Sequence, residues 1–152
     1  MYSDRRPKHN AFALAPVQDG DDADHPAPSA RDLPKATLLL VEDEPAIRGL
    51  IARALTLQGY RVLEARHGQE AIEVYNHEGA AVDLVITDVR MPHISGPELV
   101  EHLRLRRRTL KVLYITGFPD ERTEGERRLV KPFTHRALFQ AVRDVLLPAS
   151  RQ

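Results

Sequence analysis

Val82-Asp83-Leu84-Val85-Ile86-Thr87-Asp88-Val89-Arg90-Met91-Pro92 is the stretch on which the reading of this chain turns. Leu84-Val85-Ile86 is a short apolar run of the kind that forms a strand buried on both faces. It delivers one carboxylate, Asp88, and breaks off before Pro92, which has no N–H to give a ladder. An acid at that point stands at the carboxyl edge of a sheet, where open α/β sheets bind their ligands. Taken alone, Asp88 is more simply a turn cap. The ends of the other strands decide between the two readings.

Toward the N-terminus, Thr37-Leu38-Leu39-Leu40-Val41 is a second continuous apolar strand, and it ends in Glu42-Asp43-Glu44-Pro45. Pro45 suits the first turn of a helix, and Ile47, Leu50, Ile51, Ala54 and Leu55 follow at helical spacing as its inward face. Gly59 stops that helix. Arg61 to Ala65 is a short strand, followed by a helix from about Gly68 to His77 with Ala71, Ile72 and Tyr75 inward.

Toward the C-terminus, Ser95-Gly96-Pro97-Glu98 carries the capping-box spacing, so a helix starts there with Leu99 and Leu103 facing the core. Arg104, Arg106, Arg107 and Arg108 read as its solvated end, where cations suit the helix dipole. Leu110 to Ile115 is the fourth strand, ending in Thr116-Gly117-Phe118; Pro119 to Glu126 is polar and weakly helical. Arg128-Leu129-Val130 is the fifth strand and leads into Lys131-Pro132-Phe133. Thr134 caps the last helix, Phe133 and Leu138 have the spacing of a hydrophobic staple, and Pro148 marks the end. Leu138, Val142, Val145 and Leu146 supply that helix's buried stripe. Five strand–helix alternations with short connections imply a parallel sheet with helices on both faces.

Residues 1–34 hold five prolines and the acidic run Asp19 to Asp24, with no apolar periodicity. They read as a disordered tail. A docking segment using Phe12 and Leu14 is the alternative.

Composition narrows the function. The 152 residues suit one domain plus a tail, and 42% hydrophobic content is enough for a core. Lys plus Arg and Asp plus Glu both number 22, so no overall field points to nucleic acid or membrane. Cysteine is absent, which removes disulfides and thiolate metal sites. No apolar stretch approaches the roughly 20 residues that span a bilayer, and no apolar signal region opens the chain. The expected location is the cytoplasm.

The strand ends then assemble as a set: Glu42 and Asp43, Asp88, Thr116 and Lys131. Converging carboxylates raise one another's pKa unless a cation lies among them. A hard divalent ion with oxygen ligands, Mg²⁺ for example, fits that need. It would screen Asp88 so that an anionic phosphoryl group could approach and be attacked by the carboxylate. Lys131 offers a compact positive charge and Thr116 a hydroxyl donor to the phosphoryl oxygens.

Val41-Glu42-Asp43-Glu44, Thr87 to Pro92, Ile115-Thr116-Gly117 and Lys131-Pro132-Phe133 together resemble the receiver domain of two-component response regulators. The resemblance implies that residues 35–149 are a receiver with a flavodoxin-like five-stranded parallel sheet of order 2-1-3-4-5. It makes Asp88 the phosphoacceptor, Thr116 the switch hydroxyl and Lys131 the phosphate-binding lysine. It assigns Mg²⁺ to Glu42, Asp43, Asp88 and the Arg90 main-chain carbonyl. The implied partner is a sensor histidine kinase or a histidine phosphotransfer protein, with an output protein beyond it. Nothing follows Gln152, so the expected output is a protein–protein contact made by a monomer or weak dimer. The sequence also departs from the pattern. Only fourteen residues separate Thr116 from Lys131, so the fold's fourth helix, between strands four and five, is expected to be short or irregular. Arg128 stands where an aromatic residue usually precedes the lysine by three positions.

Two other readings are weaker. An Asp-nucleophile phosphatase wants a second acid two residues after the nucleophile, and here that position is Arg90. A degenerate receiver acting only as a binding module would lack an acidic, hydroxyl or lysine position, and none is missing.

Overall fold

A computed structural model of the chain describes residues 36–118 and 120–147. The tail, with Phe12 and Leu14, and Pro148 lie outside the described residues. Elements alternate as β1 (Thr37–Val41), α1 (Pro45–Leu57), β2 (Arg61–Ala65), α2 (Gly68–Glu78), β3 (Val82–Asp88), α3 (Gly96–Arg104), β4 (Lys111–Thr116), β5 (Arg127–Val130) and α4 (His135–Leu146). All strand pairs are parallel, and the sheet order is β2-β1-β3-β4-β5.

The apolar strands bury both faces. Leu38, Leu40, Leu84, Ile86, Leu113 and Ile115 point to one side, where Ile47, Ile51 and Leu55 of α1 and Leu138 and Val142 of α4 cover them. Leu39, Val41, Val85, Val112 and Tyr114 point to the other, under Ala71 and Tyr75 of α2 and Leu99, Val100 and Leu103 of α3. This is the period-two alternation of a strand, filled on both sides. Losing one such leucine to alanine would cost roughly 2–5 kcal/mol.

The caps are as the sequence predicts. Ser95 Oγ accepts from the Glu98 N–H while Glu98 accepts from the Ser95 N–H, closing the box. Thr134 Oγ1 accepts from the Ala137 N–H, and Phe133 and Leu138 are buried in one cluster as the staple requires. Gly59 adopts φ 95° just past α1, a conformation that suits glycine.

Two expectations change. Leu50 does not face inward: it is exposed, because Ile47, Ile51, Ala54 and Leu55 already complete the buried stripe. The arginine cluster after α3 is more than a solvated helix end. Arg104 donates to the Leu110 carbonyl and pairs with Glu126; Arg107 Nη1 donates to the Val82 carbonyl at 2.5 Å; Arg106 donates to Asn76. Arg106 and Arg108 remain exposed to solvent. Between β4 and β5 the described residues hold no α-helix, only a 3-10 turn at Glu121–Thr123 with Asp120 as its cap. The short or irregular fourth helix that the sequence predicts is this single turn, and the C-terminal helix α4 follows β5.

Candidate functional site

The ladder that builds the sheet also gathers its carboxyl ends. Val41 pairs with Thr87, Asp88 with Ile115, and Thr116 with Val130. One further backbone bond continues each ladder: Glu42 N–H to the Ala65 carbonyl, Val89 N–H to Ile115, and Lys131 N–H to Thr116 at 2.8 Å. Glu42, Asp88, Thr116 and Lys131 are thus set side by side by main-chain pairing. Gly96 closes the loop after β3: its N–H donates to the Val89 carbonyl, and a Cβ there would collide with the Asp88 carbonyl oxygen.

Glu42, Asp43 and Asp88 each place a carboxylate oxygen within 4.8 Å of the other two. Their environments differ. Glu42 is 2% exposed, Asp88 is also buried, and Asp43 is open to solvent. Lys131 Nζ lies 2.9 Å from Asp88 Oδ2 and 3.7 Å from Glu42 Oε2. Asp88 Oδ1 accepts from the Arg90 N–H at 3.2 Å, which folds the loop back over the carboxylate. Glu42 Oε1 accepts from the Glu44 N–H, while Glu42 Oε2 is buried without a hydrogen bond.

Burial pushes the Glu42 carboxyl up to about 8, with the Lys131 ammonium opposing that rise and the Asp88 charge adding to it. The donor set tests well for a small divalent ion. It offers oxygen ligands only, two of them buried carboxylates crowded together, and one buried oxygen lacks a hydrogen bond.

Thr116 is buried at the end of β4, but its hydroxyl is engaged by the Phe118 backbone: it donates to the Phe118 carbonyl and accepts from the Phe118 N–H at 3.1 Å. The Phe118 ring, 65% exposed, lies under the Arg90 guanidinium, 5.7 Å from ring centre to Cζ. The Lys131–Pro132 peptide bond is cis. The structure therefore brings the Glu42, Asp43, Asp88 and Lys131 side chains together, with Thr116 at the neighbouring strand end and its hydroxyl turned to Phe118. It adds two features that the sequence did not reveal: the Arg90–Phe118 contact and the Arg104–Glu126 pair. Neither has a spacing signature, because each joins segments that meet only in the folded sheet.

Comparison with known proteins gives the same answer independently. Residues 38–143 match the family model described as the response regulator receiver domain. Sensor kinase CckA of Brucella abortus is 37% identical over 118 residues, covering 73% of this chain and 12% of the kinase. Transcriptional regulatory protein GlrR of Escherichia coli is 36% identical, covering 73% of this chain and 26% of the regulator. The chain thus spans a minor part of these relatives. Among solved structures, response regulator protein TrrA of Thermotoga maritima, in complex with Mg²⁺ and BeF, superposes with a TM-score of 0.66 at 31% identity. That superposition covers 73% of this chain and 99% of TrrA. Sheet order, carboxyl-edge geometry and family match converge, and the chain belongs to the response regulator receiver domain family.

Proposed function

We propose that this chain is a phosphoacceptor switch, taking a phosphoryl group from a phosphohistidine onto Asp88. The observation that carries the reading is Lys131 Nζ at 2.9 Å from Asp88 Oδ2, beside a buried Glu42 oxygen that has no hydrogen bond. An Asp88 oxygen attacks phosphorus, the P–N bond to the donor imidazole breaks, and the imidazole leaves with the bond's electron pair. Lys131 is placed to hold the phosphoryl oxygens by charge, and Thr116 to donate once its hydroxyl leaves Phe118. Glu42, Asp43, Asp88 and the Arg90 main-chain carbonyl would hold Mg²⁺. When bound, that ion neutralises the crowded carboxylates so that an anionic phosphoryl group can approach.

The donor is a sensor histidine kinase or a histidine phosphotransfer protein, and the output is a contact with a further protein. The chain acts as a signalling domain in the cytoplasm, with self-catalysed transfer and hydrolysis its only chemistry. Among the described residues no helix is long and apolar enough to cross a membrane. The receiver unit is read as residues 35–149, preceded in sequence by the tail of residues 1–34.

Acetyl phosphate or phosphoramidate with Mg²⁺ tests the reading. The chain is expected to gain one phosphoryl mass, and folded Asp88→Asn is expected to gain none. Full labelling of folded Asp88→Asn would overturn it.

A further inference from the structure

With only a 3-10 turn between β4 and β5, one side of the sheet keeps an uncovered groove. It measures about 650 Å³, lies between α3 and the turn at residues 121–126, and has Val100 and Tyr114 on its floor. Two contacts span it: Arg104 pairs with Glu126, and Arg122 Nη1 donates to Ser95 Oγ at 3.3 Å. Glu101 and Arg108 line the same groove, both exposed, and neither forms an ion pair among the described residues. Between them stands Leu105, 83% exposed, more than any other large hydrophobic side chain described.

Glu101, Leu105 and Arg108 are spaced i, i+4, i+7, so they share one face of α3 and of the turn that continues it. The turn keeps helical bonding, with the Leu105 N–H on the His102 carbonyl and the Arg107 N–H on Leu103. An apolar side chain in water, flanked by one acid and one base at nearly equal offsets, is complementary to itself.

We propose that this patch is a self-association surface, on which a second copy of the chain docks about a two-fold axis close to Leu105. An isologous interface uses one patch twice, each residue meeting its reciprocal. Antiparallel α3 segments set Glu101 of one copy against Arg108 of the other, and do so at both ends. Leu105 of each copy enters the groove of the other, over Val100 and Tyr114. The knob and the cavity that receives it belong to the same patch, which is the geometry a two-fold requires. Three exposed side chains along one helix face make a narrow contact beside the roughly 1,600 Å² of a standard interface, so the association is weak and reversible.

The test is sedimentation velocity of the full chain from about 10 µM to about 1 mM, without phosphodonor or metal. The native chain is expected to pass from monomer to dimer over that range, and Leu105→Asp to remain monomeric. Glu101→Arg and Arg108→Glu should each weaken dimerisation about tenfold or more, by setting like charges opposite one another twice. The double variant Glu101→Arg/Arg108→Glu restores both pairs and should return to within about threefold of the native constant. All three side chains are exposed, and unchanged melting curves would show that each variant folds. A native chain that stays monomeric throughout overturns the proposal. So does a dimer indifferent to Leu105→Asp, or a double variant no better than the singles.

Discussion

The Lys131 ammonium sits between two buried carboxylates, 2.9 Å from Asp88 and 3.7 Å from Glu42. It is placed where it shares the carboxylates' field with any metal ion they hold. Like charges compete for one pocket, so removing the ammonium makes the pocket more attractive to a cation. Lys131→Met is therefore expected to bind Mg²⁺ several-fold more tightly while losing at least about tenfold in labelling rate. Titration calorimetry and mass spectrometry read the two quantities separately. An unchanged or weaker Mg²⁺ affinity would show that the lysine does not share that field.

Glu42 gives the metal-free protein a pH dependence of definite sign. Burial raises its carboxyl from 4.5 to about 8 in the fold, so the folded state holds that proton more tightly than the unfolded chain does. The associated stability is present below about 4.5 and is lost as pH climbs toward about 8. Urea unfolding should show a loss on the order of 1–3 kcal/mol across that window, which Glu42→Gln flattens. Millimolar Mg²⁺ should reverse the loss at the alkaline end by binding only the folded state. A metal-free native protein whose stability rises over the same window would refute the assignment.

Two glycines should respond oppositely to alanine. At Gly96 a Cβ has nowhere to go, because the Asp88 carbonyl and the Val89 Cα occupy its place. Gly96→Ala must shift the backbone that carries Asp88, and should cost about 2–4 kcal/mol together with most of the labelling. Gly49 lies within α1, and a methyl group added there would meet nothing within 4 Å. Gly49→Ala should stabilise by about 0.5–1 kcal/mol through helix propensity alone. Thermal melts of both variants decide the point, and a Gly96→Ala protein as stable as native would remove the steric argument.

Switching should be read first at Phe118. The Thr116 hydroxyl cannot serve a phosphoryl oxygen while it bridges the Phe118 carbonyl and N–H. Beryllofluoride loading is expected to free the Phe118 amide and speed its hydrogen exchange, with the strand amides unchanged. Residues 120–128 should change protection with it, although the Arg104–Glu126 pair anchors their far end. Equal exchange at Phe118 in both states would mean that Thr116 does not move.

Separating Arg104 from Glu126 should cost stability without disturbing Asp88. Arg104 also serves the Leu110 carbonyl, so Arg104→Ala leaves an acceptor and a half-buried carboxylate without their donor. A loss of about 1–2 kcal/mol is expected in denaturant unfolding, with labelling of Asp88 retained. Loss of labelling in a folded Arg104→Ala protein would tie this pair to the chemistry instead.

The parts of this fold that were legible in the sequence are those written in nearest neighbours. Runs such as Leu38-Leu39-Leu40-Val41 specify strands, Ser95 and Glu98 specify a helix start, and strand ends name the residues that adjoin at the carboxyl edge. What the sequence did not show depends on where distant segments meet. Arg104 finds Glu126 twenty-two positions away, and Arg107 finds the Val82 carbonyl twenty-five positions back. A charged run reads as solvated until the fold supplies such partners. Leu50 misled because helical spacing marks a broad arc, and packing decides which margin of it is covered. Glu42 and Asp43 look equivalent as adjacent acids. The ladder bond from Glu42 to Ala65 buries one and leaves the other in water.

The short edge strand β5 has a consequence for life at high concentration. It pairs only with β4, so its outer rim presents main-chain donors and acceptors, the template on which another molecule's strand can add. That rim is only four residues long and carries Arg127 and Arg128, both exposed. A second β5 laid alongside would bring guanidinium groups together and would find little length to pair. The arginine three positions before Lys131, with its neighbour Arg127, thus disfavours strand addition along this edge of the sheet.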